Sequence, residues 1–123
     1  MLSFLFLYAD AGVLVMRLAI AVIFIVHGMR KLNGSMGSFM TFIGVVETLG
    51  ALGLILGLFT QIAAMGLTVV MAGAMYKKIF EWSTPFTAMD KMGWEFDLIL
   101  FAACVALMTF GAGMYSLEAR WFI

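Results

Sequence analysis

The chain has 123 residues, 65% hydrophobic and 11% charged, with seven basic and seven acidic side chains and a mean hydropathy of +1.13. Soluble domains carry about 25% charge and 45–50% apolar residues, so this composition excludes a soluble globular protein and indicates an integral membrane protein. No basic surplus points to a nucleic-acid partner, and a lone cysteine, Cys104, excludes a disulfide framework or an intrachain dithiol.

Residues 1–11 are apolar and aromatic around Asp10, and either lie along the interface or lengthen the first span. The stretch MLSFLFLYAD lacks a positive n-region, which argues against a cleaved signal peptide. A first span is expected over about 12–31, interrupted by Arg17 and His27 and closed by Arg30 and Lys31. Asn33, Gly34, Ser35 and Gly37 make a polar turn. The second span, about 39–59, carries a single charge, Glu47, near its middle. A third is expected over about 62–80. Residues 48–76 as one helix would extend about 44 Å, so Phe59-Thr60-Gln61 is better taken as a tight hairpin.

The connector 82–94 holds the only proline, Pro85, after Ser83-Thr84, a pattern that predicts a short capped amphipathic helix. Trp82, Phe86 and Trp94 would anchor it at headgroup level. A fourth span is expected over about 95–114, with Tyr115, Trp121 and Phe122 in the opposite aromatic belt. The pattern predicts one all-α domain over 1–123, an integral-membrane four-helix bundle. Four spans place both termini on one side. Arg30, Lys31, Lys77, Lys78 and Lys91 gather on the other, which the positive-inside bias makes cytoplasmic and the termini extracytoplasmic. The expected location is the cell's inner or plasma membrane.

At 100° per residue, Arg17, Ala21, Phe24, Gly28 and Lys31 share one face of span one. In span two, Gly50, Gly53 and Gly57 cluster with Glu47 at their edge. Span three offers Ala63, Gly66, Val70 and Gly73, and span four Glu95, Ala102, Ala106, Thr109 and Gly113. Small residues in stripes let membrane helices approach closely. A carboxylate deep in lipid costs several kcal/mol unless neutralised or paired. By depth, Glu47 is expected to meet His27, Arg17 or both, and Lys31 to pair with Glu95, while Asp97 points away to solvent or a partner.

Glu47, His27 and Arg17 are thus the candidates for proton-handling or catalytic work, within a polar core of Arg17, His27, Lys31, Glu47 and Glu95. The competing interpretation is a set of ion pairs that only fixes helix register. Twelve methionines, among them Met36/Met40, Met71/Met75 and Met89/Met92, would suit copper(I), yet no cysteine or histidine stands at matching spacing, and methionine is ordinary core filler. Cys104 has no polar neighbour and is expected to be inert. There is no haem, flavin or metal motif.

RLAIAVIFIVHGMRKL (17–32), ETLGALGLILGLFTQIAA (47–64) and GAGMYSLEARW (111–121) closely resemble the DoxX family of small four-span membrane proteins. The matching positions are Arg17, His27, Gly28, Lys31, Glu47, Gly50, Gly57, Glu95, Tyr115, Ser116 and Leu117. The family often has aspartate where Glu118 stands, and a histidine near Tyr76-Lys77-Lys78. The resemblance implies a membrane oxidoreductase system, quinone- or thiol-linked, and the polar core is expected to bind a quinone-like or other small ligand. Its expected partners are the lipid bilayer and either a protein of a redox complex or a second copy of the chain. A non-catalytic scaffold is the alternative. A small-molecule carrier ranks last, because no span holds a proline or a visibly broken half-helix.

Overall fold

The computed structural model describes residues 1–121, so the aromatic-belt expectation for Phe122 lies outside the described residues. A 3-10 turn, Ser3–Tyr8, runs straight into helix α1, Ala9–Lys31, so the N-terminal residues lengthen the first helix. Arg30 and Lys31 stand in its last turn, where cations oppose the helix dipole. Gly34 and Gly37, both at positive φ, turn the chain into α2, Ser38–Leu56.

Helix α2 stops at Gly57, whose φ of 67° is left-handed, and Leu58 N–H caps it by donating to the Gly53 carbonyl. Phe59 is also left-handed, and α3, Thr60–Tyr76, begins at once. This is the tight hairpin that the length argument required, but it turns at Gly57-Leu58-Phe59, and the expected turn residues Thr60 and Gln61 already belong to α3. Beyond Tyr76 the helix widens into a π-turn, Lys77–Glu81, in which Trp82 N–H reaches back to the Lys77 carbonyl. Helix α4 is Trp94–Phe110 and a short α5, Leu117–Trp121, closes the described chain.

The connector corrects an expectation. No helix forms at Ser83–Phe86, because the Pro85 and Phe86 carbonyls accept from Trp94 and Glu95 N–H and so cap the start of α4 instead. Gly93 permits this: any Cβ there would run into the Phe86 carbonyl. The Phe86 and Trp94 rings pack edge to face beside it. Helix α4 also ends earlier than expected, at Gly111, whose φ is +80°.

The architecture is all-helical, with α1 packed most extensively on α2, and α3 on α4. By length and composition, Ser3–Lys31, Ser38–Leu56 and Thr60–Glu81 can each cross a membrane. The 17 residues of α4 cover about 26 Å of a hydrocarbon core about 30 Å thick. Large apolar side chains such as Val15, Phe42, Ile62 and Ile99 point outward, as a lipid-facing surface requires.

The buried face of α1 follows the expected stripe, with Arg17, Ala21, Phe24 and Gly28 inside and Lys31 half-buried. The other three helices differ. Helix α2 buries Gly44, Glu47, Ala51 and Leu54, which puts Glu47 on the centre of the inner face rather than its edge. Helix α3 buries Thr60, Ala64, Leu67 and Met71, and α4 buries Asp97, Leu100, Cys104 and Leu107. Gly73, Ala102 and Thr109 are exposed. Interiors are filled to crystal-like density, and here Phe24, Leu54, Leu67, Leu100 and Leu107 fill the centre beside the small Ala21, Ala51 and Ala64.

Candidate functional site

Gly28 of α1 and Gly44 of α2 set the first feature. A Cβ on Gly28 would lie 2.6 Å from Thr48 Oγ1 and 3.0 Å from the Gly44 carbonyl. One on Gly44 would lie 2.8 Å from Lys31 Cβ. Only two glycines allow this crossing, and it carries Lys31 across the face of α2. Lys31 Nζ donates to Glu47 Oε1 at 2.7 Å, with the Glu47 side chain almost fully buried. The other carboxylate oxygen, Oε2, is buried and has no hydrogen-bond partner among the described residues.

A second pair repeats the arrangement in the other hairpin. Lys78, in the π-turn that ends α3, places its ammonium 2.8 Å from Asp97 Oδ2 near the start of α4. The contact lies off hydrogen-bonding angles, so it is an ion pair without a directed N–H···O bond. In each hairpin a lysine at the end of the first helix meets an acid on the second.

Both pairs line one cavity of about 430 Å³ at the end of the bundle that carries the 32–37 and 82–93 connectors. Its walls are otherwise mostly apolar, with Ile23, Phe24 and Leu100 inside and Ile43, Val70 and Ala74 toward one flank. His27 also lines it. The His27 ring stacks on Phe96 of α4 at 5.8 Å between centroids, and Nδ1 lies 2.7 Å from the Ile23 carbonyl oxygen. A carbonyl only accepts, so Nδ1 carries the hydrogen. In the neutral ring Nε2 is then an acceptor, with no partner among the described residues.

Arg17 lies elsewhere. Its Nε donates to Leu54 O at 2.8 Å, Nη1 to Ala112 O and Tyr115 O at 2.9 and 2.8 Å, and Nη2 to Ile55 O at 3.2 Å. Four of its five N–H groups are thereby spent on the last turn of α2 and the segment after α4, and it does not line the cavity. Nearby, Glu118 accepts from Thr60 N–H at 3.2 Å and attracts the Arg17 guanidinium. Asp10 accepts from Met114 N–H.

The expected pairings are therefore corrected. Glu47 meets Lys31, neither His27 nor Arg17, because the glycine crossing brings the end of α1 down onto it. Lys31 does not reach Glu95, which is exposed and accepts from Thr87 Oγ1 at 2.8 Å. The helical wheel rightly sets Glu95 and Asp97 on opposite faces, but the inward acid is Asp97. Lys78 and Asp97 escaped the sequence reading as site residues. The signal for them was the parallel with Lys31 and Glu47, a basic helix end followed by an acid in the next helix.

Among the described residues, no group of three or more His, Cys, Asp and Glu side chains could hold a metal ion. Cys104 is buried in the core.

Residues 1–94 match the DoxX-like family. An uncharacterised protein of Haemophilus influenzae is 40% identical over a 72-residue alignment that covers 50% of this chain and 54% of the relative. The chain thus spans about half the length of the curated relative that it matches. No solved structure matches.

Proposed function

The chain belongs to the DoxX-like family, and on that premise we propose that it is a single four-span membrane domain whose cavity binds a small amphipathic ligand, quinone-like in character, for a membrane oxidoreductase system. In this reading α4 is the fourth span, tilted little, with the irregular segments at its ends completing the crossing. Lys31, Lys77, Lys78 and Lys91 then face the cytoplasm and the termini the opposite side.

The observation that carries the reading is a mostly apolar cavity of about 430 Å³ with two lysine–carboxylate pairs and a histidine in its wall. Ligand sites are usually clefts of about 300–1,000 Å³, apolar with a few convergent polar groups. Ionisable groups at membrane depth cost enough to suggest a use beyond packing. Lys31 and Lys78 each have N–H groups beyond their ion pair, suited to a ligand carbonyl. Glu47, paired with Lys31 at 2.7 Å, would steady that ammonium against the cavity wall. A single cysteine allows no dithiol cycle within the chain, so electrons would come from a partner protein.

Purification with native lipid and partners should recover bound quinone or quinone-dependent turnover. Neither appearing would end this reading. A second reading, a scaffold whose ion pairs only hold the helices, is favoured by one fact: each inward acid already has a lysine. Glu47→Gln separates the two, since a scaffold keeps its partners and loses no activity, whereas a ligand site loses turnover while the complex still forms.

A further inference from the structure

Helices α2 and α3 spread apart from their shared hairpin. Close to the turn, a Cβ on Gly53 would meet Ala63 Cβ at 3.4 Å, and one on Gly50 would meet Leu67 at 3.1 Å. Val46, four residues farther from the turn along α2 than Gly50, would lie 3.8 Å from a Cβ placed on Gly66. At Gly73, level with Ile43 by the same antiparallel register, a Cβ would find nothing within 4 Å. Ile43 and Gly73 both line the cavity, as do Phe39 and Val69, which are 66% and 68% exposed on the outer surface. The cavity therefore reaches the outside between α2 and α3. Val69 lies about 12 Å along the helix from Lys77, well into the hydrocarbon region. Inside, His27 Nε2 is an accessible acceptor with no partner among the described residues, beside the spare donors of Lys31 and Lys78, its tautomer set by the Nδ1–H bond to the Ile23 carbonyl and its ring held against Phe96. Behind it the buried Glu47 Oε2 is a second acceptor without a donor among the described residues.

The geometry points to a membrane-dissolved amphiphile that enters sideways between α2 and α3 and donates a hydrogen bond from a hydroxyl head group to His27 Nε2. This deepens the ligand-binding reading above and rests on it. The hydroxyl could belong to a quinol or to an isoprenoid alcohol, which share this chemistry. A ligand that only accepts would leave the histidine acceptor bare, and a water-borne ligand would not need the lateral opening.

The test uses the full chain in lipid nanodiscs and a prenylated phenol, its methyl ether and the tail-less phenol as probes. The phenol should bind about tenfold more tightly than the ether, which cannot donate. His27→Phe, which keeps a ring against Phe96, should erase that difference. Gly73→Leu projects into open space, so it should not lower the unfolding temperature, leucine being a better helix former than glycine, yet should weaken the prenylated phenol at least tenfold and the tail-less phenol little. A prenylated quinol and farnesol as further arms identify the source of the hydroxyl. Equal binding of phenol and ether, or a Gly73→Leu protein that binds the prenylated probe as the parent does, overturns the inference while leaving a small-ligand site standing. If no probe binds, or acyl chains alone fill the cavity, the ligand reading falls with it.

Discussion

Lys31 Nζ sits 2.7 Å from Glu47 Oε1, an ion pair made across a crossing at which Gly28 and Gly44 bring two helix backbones together. The two partners are unequally placed. The Lys31 side chain keeps 18% of its exposure and Glu47 only 1%. Removing one partner of a buried pair is costly because the other charge is stranded, by about 3–5 kcal/mol. Lys31→Met strands the more deeply buried carboxylate and should destabilise by about that much, whereas Glu47→Gln leaves a lysine that can reach toward the membrane surface and should cost less. The double variant Lys31→Met/Glu47→Gln should be more stable than Lys31→Met alone. Unfolding in mixed micelles measures all three.

The crossing itself should tolerate no added bulk. Gly44→Ala would set a methyl 2.8 Å from Lys31 Cβ and 2.9 Å from the Gly28 carbonyl, and should cost about 1–3 kcal/mol. Gly73→Ala meets nothing and should be neutral or stabilising by up to about 1 kcal/mol, because alanine is the better helix former. Unfolding midpoints of the two variants should move in opposite directions, or one should stay still.

Arg17 should behave as a staple rather than a site residue. Arg17→Lys retains the charge but not the planar fork that serves four carbonyls on two segments. Hydrogen exchange after α4, around Gly111–Ser116, should speed up about tenfold or more as a result, from a loss of about 1.5–3 kcal/mol. Binding at the cavity, at the far end of the bundle, should change little. A comparable loss of ligand binding would place Arg17 back in the site.

The proposed fourth crossing makes a testable labelling pattern. Cys104 is fully buried, so it should stay dark to a membrane-impermeant maleimide. Ser35→Cys and Asp90→Cys, at exposed positions in the two connectors, should label from the cytoplasmic side, and Met114→Cys from the other. Labelling of Asp90→Cys and Met114→Cys from the same side would show that α4 does not cross.

Composition and length alone settled the membrane setting, the helical class and the presence of a tight hairpin, because an apolar solvent leaves the chain few ways to satisfy its backbone. They set that hairpin at Phe59-Thr60-Gln61, two residues later than the Gly57-Leu58-Phe59 turn of the structure. The face of α1 was equally legible, since Arg17, Ala21, Phe24 and Gly28 differ from their neighbours enough to mark one side. Periodicity also set Glu95 and Asp97 on opposite sides of α4. It could not say which side is in, because in lipid the outside of a helix is as apolar as the inside.

Partner choice belonged to the tertiary structure for a related reason. Lysine and arginine side chains are long, so a depth estimate along one helix admits several acids within reach. Which one is met depends on the crossing of two backbones and on the turn that ends α3. Two glycines decided for Lys31 and Glu47, and the π-turn for Lys78 and Asp97. The cavity arose the same way, from the spreading of α2 and α3, a property of no single segment.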